Sequence, residues 1–353
     1  MAEFFDISKW DEKRQFQTGG TRSKCVVEHP DTSDLYFFKT SMLKEKKDYK
    51  HEFWSEIIAS EVGRALGFNM LVYDIAYKNG EIGCLSKLMI DPNTESLYEG
   101  VNYLQGFDPT YIPENKESYD SYTFQFICNA LTEYSLESRI PFLIKTIIFD
   151  SLIGNSDRHQ ENWGFILYSG FKDKKGIKIL NKFMSSPFYR GIVKSFFILF
   201  KIKDISSLRK KILLINKAME DVKGRYSPIY DSGSCLGREL EDEKIDKMLS
   251  DNNMLNAYIK KGPSEIRWNG PKINHFDLIR NIMNSKNEYH NVVKSTISNI
   301  NRVFNDQKIR NIVLEIDKKL PQNLIQNKLP DNRKELIIKM VTLRFEKLKE
   351  VLK

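Results

Sequence analysis

Asp157 and Asn162 lie five residues apart in the stretch GNSDRHQENWG at 154–164. Gly, Asn, Ser and Asp are ordinary residues of turns and helix caps, so taken alone the pair reads equally well as a plain loop. Its chemical reading is an Asp that accepts the proton of an attacking hydroxyl and an Asn that holds a metal ion on the phosphates of a nucleotide. Such chemistry works by positioning and charge neutralisation, and it demands three further parts elsewhere in the chain.

One demand is a lysine on a strand, aimed at the α and β phosphates, with a glutamate on the next helix to hold it. Lys39 ends the aromatic run LYFFK, where a half-buried strand would otherwise prefer an apolar residue. In the helix that follows, Glu56 sits between Trp54 and Ile57 beside the apolar stripe; Glu52 and Glu61 are alternatives, and a helical Glu is most often simply solvated. A second demand is a small-residue loop whose backbone can cover phosphates. QTGGTRSK at 17–24 supplies Gly19 and Gly20 with Arg22 and Lys24 nearby, although two adjacent glycines are also an ordinary turn. The third is another metal-binding acid further on, for which Asp231 in PIYDSG fits, again with a common turn as the bland reading. The four parts together, in this order, are far less ordinary than any one of them.

The elements that must position these groups are legible in outline. KCVVEHP (24–30) and LYFFKTSM (35–42) read as a hairpin, and 50–68 reads as a helix with apolar residues at helical spacing. MLVYDIAY (70–77) and EIGCLSKLMI (81–90) follow as a second hairpin around Asn-Gly, with DPNTES as a connector. Helices are expected over 122–136 and 140–154, ending at the Asp157 loop. WGFILYS (163–169) and KGIKIL (175–180) read as a short hairpin, SPIY as a strand-like delivery of Asp231, and 241–353 as a run of helices. The expectation is an α+β chain of two lobes: 1–92 rich in strands with one helix, and 93–353 mostly helical. The larger lobe would carry the loop at 154–164, a basic insertion at about 181–225 and the loop at 227–237.

With 353 residues, 41% of them hydrophobic and 29% charged, the chain has the composition of a folded protein and the length for two cores. Its longest apolar cluster, SFFILF at 195–200, is far too short to span a membrane, and no secretory pattern opens the chain, so a cytoplasmic location is expected. Cys25, Cys84, Cys128 and Cys235 are scattered singly and read as reduced thiols, not a zinc site. The net charge of +8 is unevenly spread: residues 172–225 hold 15 Lys and Arg against 4 Asp and Glu, a net +11, leaving the remainder at −3. That segment is expected to be a solvated helical elaboration. The functional alternative is a docking surface for an acidic substrate, nucleic acid or anionic membrane.

LIGNSDRHQENWG followed by YSPIYDSGSCLG resembles the HipA-like serine/threonine kinases, whose loops read Gly-Asn-x-Asp-x-His-x-x-Asn and Pro-x-Tyr-Asp. More distantly it resembles the type II phosphatidylinositol 4-kinases. The resemblance runs from about Thr18 to the helices after Asp231. It implies a two-lobed protein-kinase-like fold, ATP and Mg²⁺ as cofactors, and a Ser or Thr of a protein as acceptor. It further implies Asp157 as catalytic base, Asn162 and Asp231 as metal ligands, Lys39 as the phosphate lysine and Glu56 as its partner. His159 matches the family's His beside the site, where it either buttresses the loop or touches the nucleotide. Thr18, Thr21 and Ser23 become candidate autophosphorylation sites, where added charge would oppose ATP binding. An antitoxin-type partner belongs to the same picture. Two departures stand out: only about 18 residues precede the Gly-Gly loop, leaving no room for the extra N-terminal subdomain of HipA, and the gap from Asn162 to Asp231 is unusually long. A lipid kinase, or a basic nucleic-acid-binding or toxin-antitoxin component with residual kinase fold, are the alternative functions.

Overall fold

The computed structural model describes residues 1–14, 24–44, 47–168 and 224–353. Six strands make one N-terminal sheet, in the order β1 (Phe4–Asp6), β7 (Asp74–Lys78), β8 (Glu81–Lys87), β4 (Leu35–Thr40), β3 (Lys24–Glu28), β2 (Asp11–Glu12). Neighbours are antiparallel except β1 and β7, which run parallel. A small separate pair joins β5 (Leu43–Lys44) to β6 (Lys47–Asp48). The turn between β7 and β8 has positive φ at both Asn79 (49°) and Gly80 (101°), the geometry that matches strand twist in a tight hairpin and the reason Asn-Gly suits it.

Strand alternation decides which face carries chemistry. Phe38 and Leu85 lie opposite each other on β4 and β8 and bury into an outer cluster with Ile7, Val27 and Ala76. Their neighbours Lys39 and Cys84, also paired, therefore face the other side, where the helix α1 (Glu52–Ala65) packs. From Glu52 through Gly63 every residue of α1 is buried, because the sheet covers one flank and the helical lobe the other. Trp54, wholly buried, donates its indole N–H to the carbonyl of Asn327 at 2.9 Å, so α1 is anchored to the far end of the chain.

Beyond the sheet come α2 (Gly100–Phe107), the single turn α3 (Lys116–Tyr119) and α4 (Phe124–Glu133), the last capped by the Thr123 hydroxyl accepting from the Phe126 N–H. Then α5 (Ile140–Ile153) runs through the centre of the lobe, apolar on nearly all sides. The C-terminal helices α6 (Asp242–Ser250), α7 (Asn252–Lys261), α8 (His275–Ser285), α9 (Asn287–Val303), α10 (Asp306–Leu314) and α11 (Asp331–Glu350) complete the lobe. Ile57, Ile58 and Val62 of α1 share one continuous core with Ile144, Ile148 and Leu152 of α5. The expected α+β class is what is found.

Several details differ from the sequence expectations. Strand β1 was not anticipated; three residues pairing in parallel with a segment about seventy positions away leave no local periodicity. Strand β7 begins only at Asp74, while Met70 forms a single bridge to Ile229. SPIY is no strand: the ladder there is limited to β11 (Arg225–Tyr226). The strand β10 (Gly164–Tyr168) pairs with β11 on one side and with β9 (Glu95–Glu99) on the other, so part of the expected connector DPNTES is strand. KGIKIL, Gly19, Gly20, Thr21, Ser23, Thr18 and nearly all of the basic insertion lie outside the described residues. The cysteines are free, three buried and Cys25 half-buried. Among the described residues no helix is long and apolar enough to cross a membrane.

Candidate active site

Lys39 reaches off the inner face of β4 and is 8% exposed, so its ammonium must be neutralised locally. Its Nζ donates to Glu56 Oε1 and to Asp231 Oδ1, each at 2.6 Å. Of the three candidate glutamates, Glu56 is thus the one in contact. Glu52 instead forms an ion pair with Arg238 at 2.8 Å, and Glu61 with Arg64 at 2.9 Å. Burial pushes the Glu56 carboxyl above its ordinary range, with Lys39 pulling the other way. The second oxygen of Glu56 accepts the Ser232 N–H at 2.8 Å. A Cβ on Gly233 would sit 3.0 Å from Glu56 Oε1 and press on the carboxylate that holds Lys39.

Asp231 is held in a left-handed conformation, φ 49°, which Asp tolerates better than most residues but which still costs energy. The surroundings enforce it. Ile229 is fastened on both sides, its N–H to the Asn69 carbonyl at 2.8 Å and its carbonyl from the Leu71 N–H at 2.9 Å. The Tyr230 hydroxyl donates to the Glu161 carbonyl at 2.7 Å, and the Asp231 N–H reaches the Tyr73 hydroxyl at 3.3 Å.

The loop after α5 is shaped by its own side chains. Buried Asn155 donates to Asp150 Oδ1 at 3.0 Å and accepts the Asp157 N–H at 3.2 Å. Asn162 donates from Nδ2 to the Asp157 carbonyl at 2.8 Å, closing the five-residue span. The Asp157 carboxylate accepts the Ser234 hydroxyl at 3.1 Å. His159 accepts the Glu161 N–H on Nδ1 at 3.2 Å, a loop buttress, and its side chain also borders the cleft.

Between the lobes lies a cleft of about 710 Å³ whose walls include Lys39, Glu99, His159, Asn162, Tyr230 and Asp231. Asp157 is half-buried beside it and is not one of the lining residues. The structure thus gathers Lys39, His159, Asn162 and Asp231 around one space, with Glu56 buried behind Lys39 and Asp157 beside the cleft. Glu99, at the start of α2, is pushed up to about 7 by burial and by the nearby Glu161 carboxylate.

The residue most conspicuously missed from sequence is Arg158. It is 1% exposed and gives Nε and Nη2 to the two oxygens of Asp150 at 2.9 and 2.8 Å. Its Nη1 serves the carbonyls of Asn162 (2.7 Å) and Tyr230 (2.6 Å), and Nη2 the Ser232 hydroxyl (3.1 Å). Burial opposes its charge, but Asp150 outweighs that and holds the guanidinium above its ordinary range. One cation therefore ties α5, the Asp157 loop and the Asp231 loop together. The available signal was Asp150 itself, an acid inside the apolar run TIIFDSLIG, where a buried charge must have a partner.

The donor set suits a magnesium nucleotide. With Nδ2 of Asn162 committed to the backbone, its Oδ1 is the atom left for a cation, and Asp231 adds a carboxylate. Among the described residues no cage of three or more His, Cys, Asp or Glu is gathered. A hard cation that takes one or two protein oxygens and the rest from phosphates and water needs none.

A Lys-Glu pair under a curled sheet, an acid-bearing loop below it and a cleft between two lobes define the class: this is a protein-kinase-like fold. No protein-family model matches the sequence. The serine/threonine-protein kinase CtkA of Helicobacter pylori strain J99 is 24% identical over 246 residues, 68% of this chain. That stretch spans 58% of the relative's own length. The crystal structure of a Helicobacter pylori proinflammatory kinase CtkA superposes with a TM-score of 0.69 at 19% identity, covering 99% of this chain and 96% of that one. HipA of Shewanella oneidensis MR-1, solved with HipB and operator DNA, gives a TM-score of 0.50 at 11% identity, over 97% of this chain and 66% of HipA. The chain has the CtkA-type, HipA-like kinase fold and resembles that family in sequence.

Proposed function

We propose that the protein is an ATP-dependent serine/threonine kinase of the HipA type, with its lobes divided near residue 92. The observation that carries this reading is Lys39 held between Glu56 and Asp231 at 2.6 Å each, on the wall of the cleft that Asn162 also lines. Mg²⁺-ATP, when bound, supplies the transferable γ-phosphate with part of its charge neutralised. Lys39, prevented by Glu56 from folding away, meets the α and β phosphates. Asn162 Oδ1 and the Asp231 carboxylate hold the cation. Asp157 accepts the proton of the acceptor hydroxyl, and His159 keeps the loop's backbone in register. Transfer to the chain's own Thr18, Thr21 or Ser23, a cytoplasmic site of action and an antitoxin-type partner are finer parts of the same proposal.

The test offers purified protein and labelled Mg²⁺-ATP two acceptors side by side, a general protein substrate and phosphoinositide vesicles. Label in Ser or Thr of protein is expected. Label confined to lipid would replace the protein-kinase reading with a lipid-kinase one.

A further inference from the structure

Ser234 follows the Asp231 loop and is 7% exposed. Its hydroxyl has two neighbours: Asp157 Oδ2 at 3.1 Å and Arg238 Nη2 at 2.8 Å. A guanidinium has only donors, whereas a serine hydroxyl has one proton and two lone pairs. Arg238 therefore occupies a lone pair, and the single Ser234 proton is directed at Asp157. The Ser234 carbonyl also accepts the Ser156 N–H at 3.3 Å, so the residue touches the loop of Asp157 twice. One carboxylate oxygen of Asp157 is thus fixed, which sets where the other can meet an acceptor hydroxyl.

Arg238 does not stand alone. Its other terminal nitrogen pairs with Glu52 at 2.8 Å, and its guanidinium lies 4.2 Å from the centroid of the Tyr49 ring. Glu52 and Glu56 are four residues apart on α1 and share a face. The helix that holds Lys39 through Glu56 thus holds Asp157 through Glu52, Arg238 and Ser234.

Resting on the kinase reading above, we infer that Ser234 is a positioning residue for Asp157 and that Glu52 and Arg238 make the base's placement depend on the seat of α1. Moving the helix would loosen the phosphate lysine and the base together.

The experiment measures phosphotransfer by the full chain with Mg²⁺-ATP. Ser234→Ala is expected to lower kcat about tenfold or more while leaving the KM for ATP within about twofold, because a misaimed base slows the chemical step without touching nucleotide contacts. Ser234→Thr, which keeps the hydroxyl, retains at least about half of kcat. In an Asp157→Ala background the further change Ser234→Ala alters the residual rate by less than about twofold, since the residue it positions is gone. Urea denaturation without nucleotide is expected to show the same non-additivity between Ser234→Ala and Asp157→Ala. Undiminished kcat in Ser234→Ala, a loss carried by the KM for ATP, or additive losses with Asp157 variants would overturn the inference. A wild-type chain that binds nucleotide but transfers no phosphate overturns the kinase reading, and this inference with it.

Discussion

Replacing Arg158 by Met keeps much of the length and apolar stem of the side chain and removes its charge and all five of its hydrogen bonds. Asp150, 2% exposed on α5, is then left as a buried carboxylate with Asn155 Nδ2 still donating to it at 3.0 Å. Breaking a buried pair from one side costs about 3–5 kcal/mol. The carbonyls of Asn162 and Tyr230 also lose the Arg158 donor, at about 1–3 kcal/mol each if buried and unsatisfied, though these costs overlap. Taking about 3–5 kcal/mol as the floor, the loss is a large share of the 5–15 kcal/mol that roughly bounds the stability of a domain. It corresponds to a fall in Tm on the order of 10 °C. Guanidinium denaturation followed by tryptophan fluorescence measures it, Trp163 being buried on the same loop. The decisive arm is Asp150→Asn combined with Arg158→Met. Neutralising the stranded carboxylate makes the double variant less damaged than the sum of the two singles, by about 2 kcal/mol or more. A loss below about 1 kcal/mol for Arg158→Met, or strict additivity, would refute the claim that this cation ties the loops together.

Two further outcomes follow from the cleft. Lys39→Met removes the cation between Glu56 and Asp231, leaving two carboxylates facing each other; phosphotransfer should fall at least about a hundredfold, and nucleotide-induced thermal stabilisation should shrink. Retention of full activity would exclude Lys39 from the phosphate site. Glu99, at about 7 in the fold against an ordinary 4.5, is protonated in both folded and unfolded chains at low pH, and the unfolded chain releases its proton first as pH rises. Its stabilising contribution is therefore complete below pH 4.5 and is lost as pH rises through about 7. The Tm of the wild type should drop relative to Glu99→Gln between pH 5 and pH 8, and parallel curves would contradict that sign.

What could be read from the sequence was whatever depends on neighbours in the chain. The Asn79-Gly80 turn, the helix over 140–154 and the singling out of Lys39 in an aromatic strand each follow from local conformation or short-range periodicity. Which glutamate meets Lys39 did not: Glu52, Glu56 and Glu61 share one helix, and the choice depends on how far α1 slides along the sheet. The Asp231 backbone, with φ at 49°, is set by Tyr73 and by the fastening of Ile229 to residues 69 and 71, contacts some 160 positions apart. Ser234 and Arg238 lie four residues apart, but nothing in that spacing points to Asp157, Glu52 or Tyr49, and Arg158 meets Tyr230 and Ser232 more than seventy positions away. Strand β1 escaped for the same reason.

The most direct measurement of the central claim is mass spectrometry of the purified chain after incubation with Mg²⁺-ATP, run beside Asp157→Ala. The wild type should gain phosphate, at Thr18, Thr21 or Ser23, while the variant gains none yet remains thermally stabilised by nucleotide. Two unmodified proteins, neither stabilised by Mg²⁺-ATP, would contradict the assignment of this cleft to phosphoryl transfer.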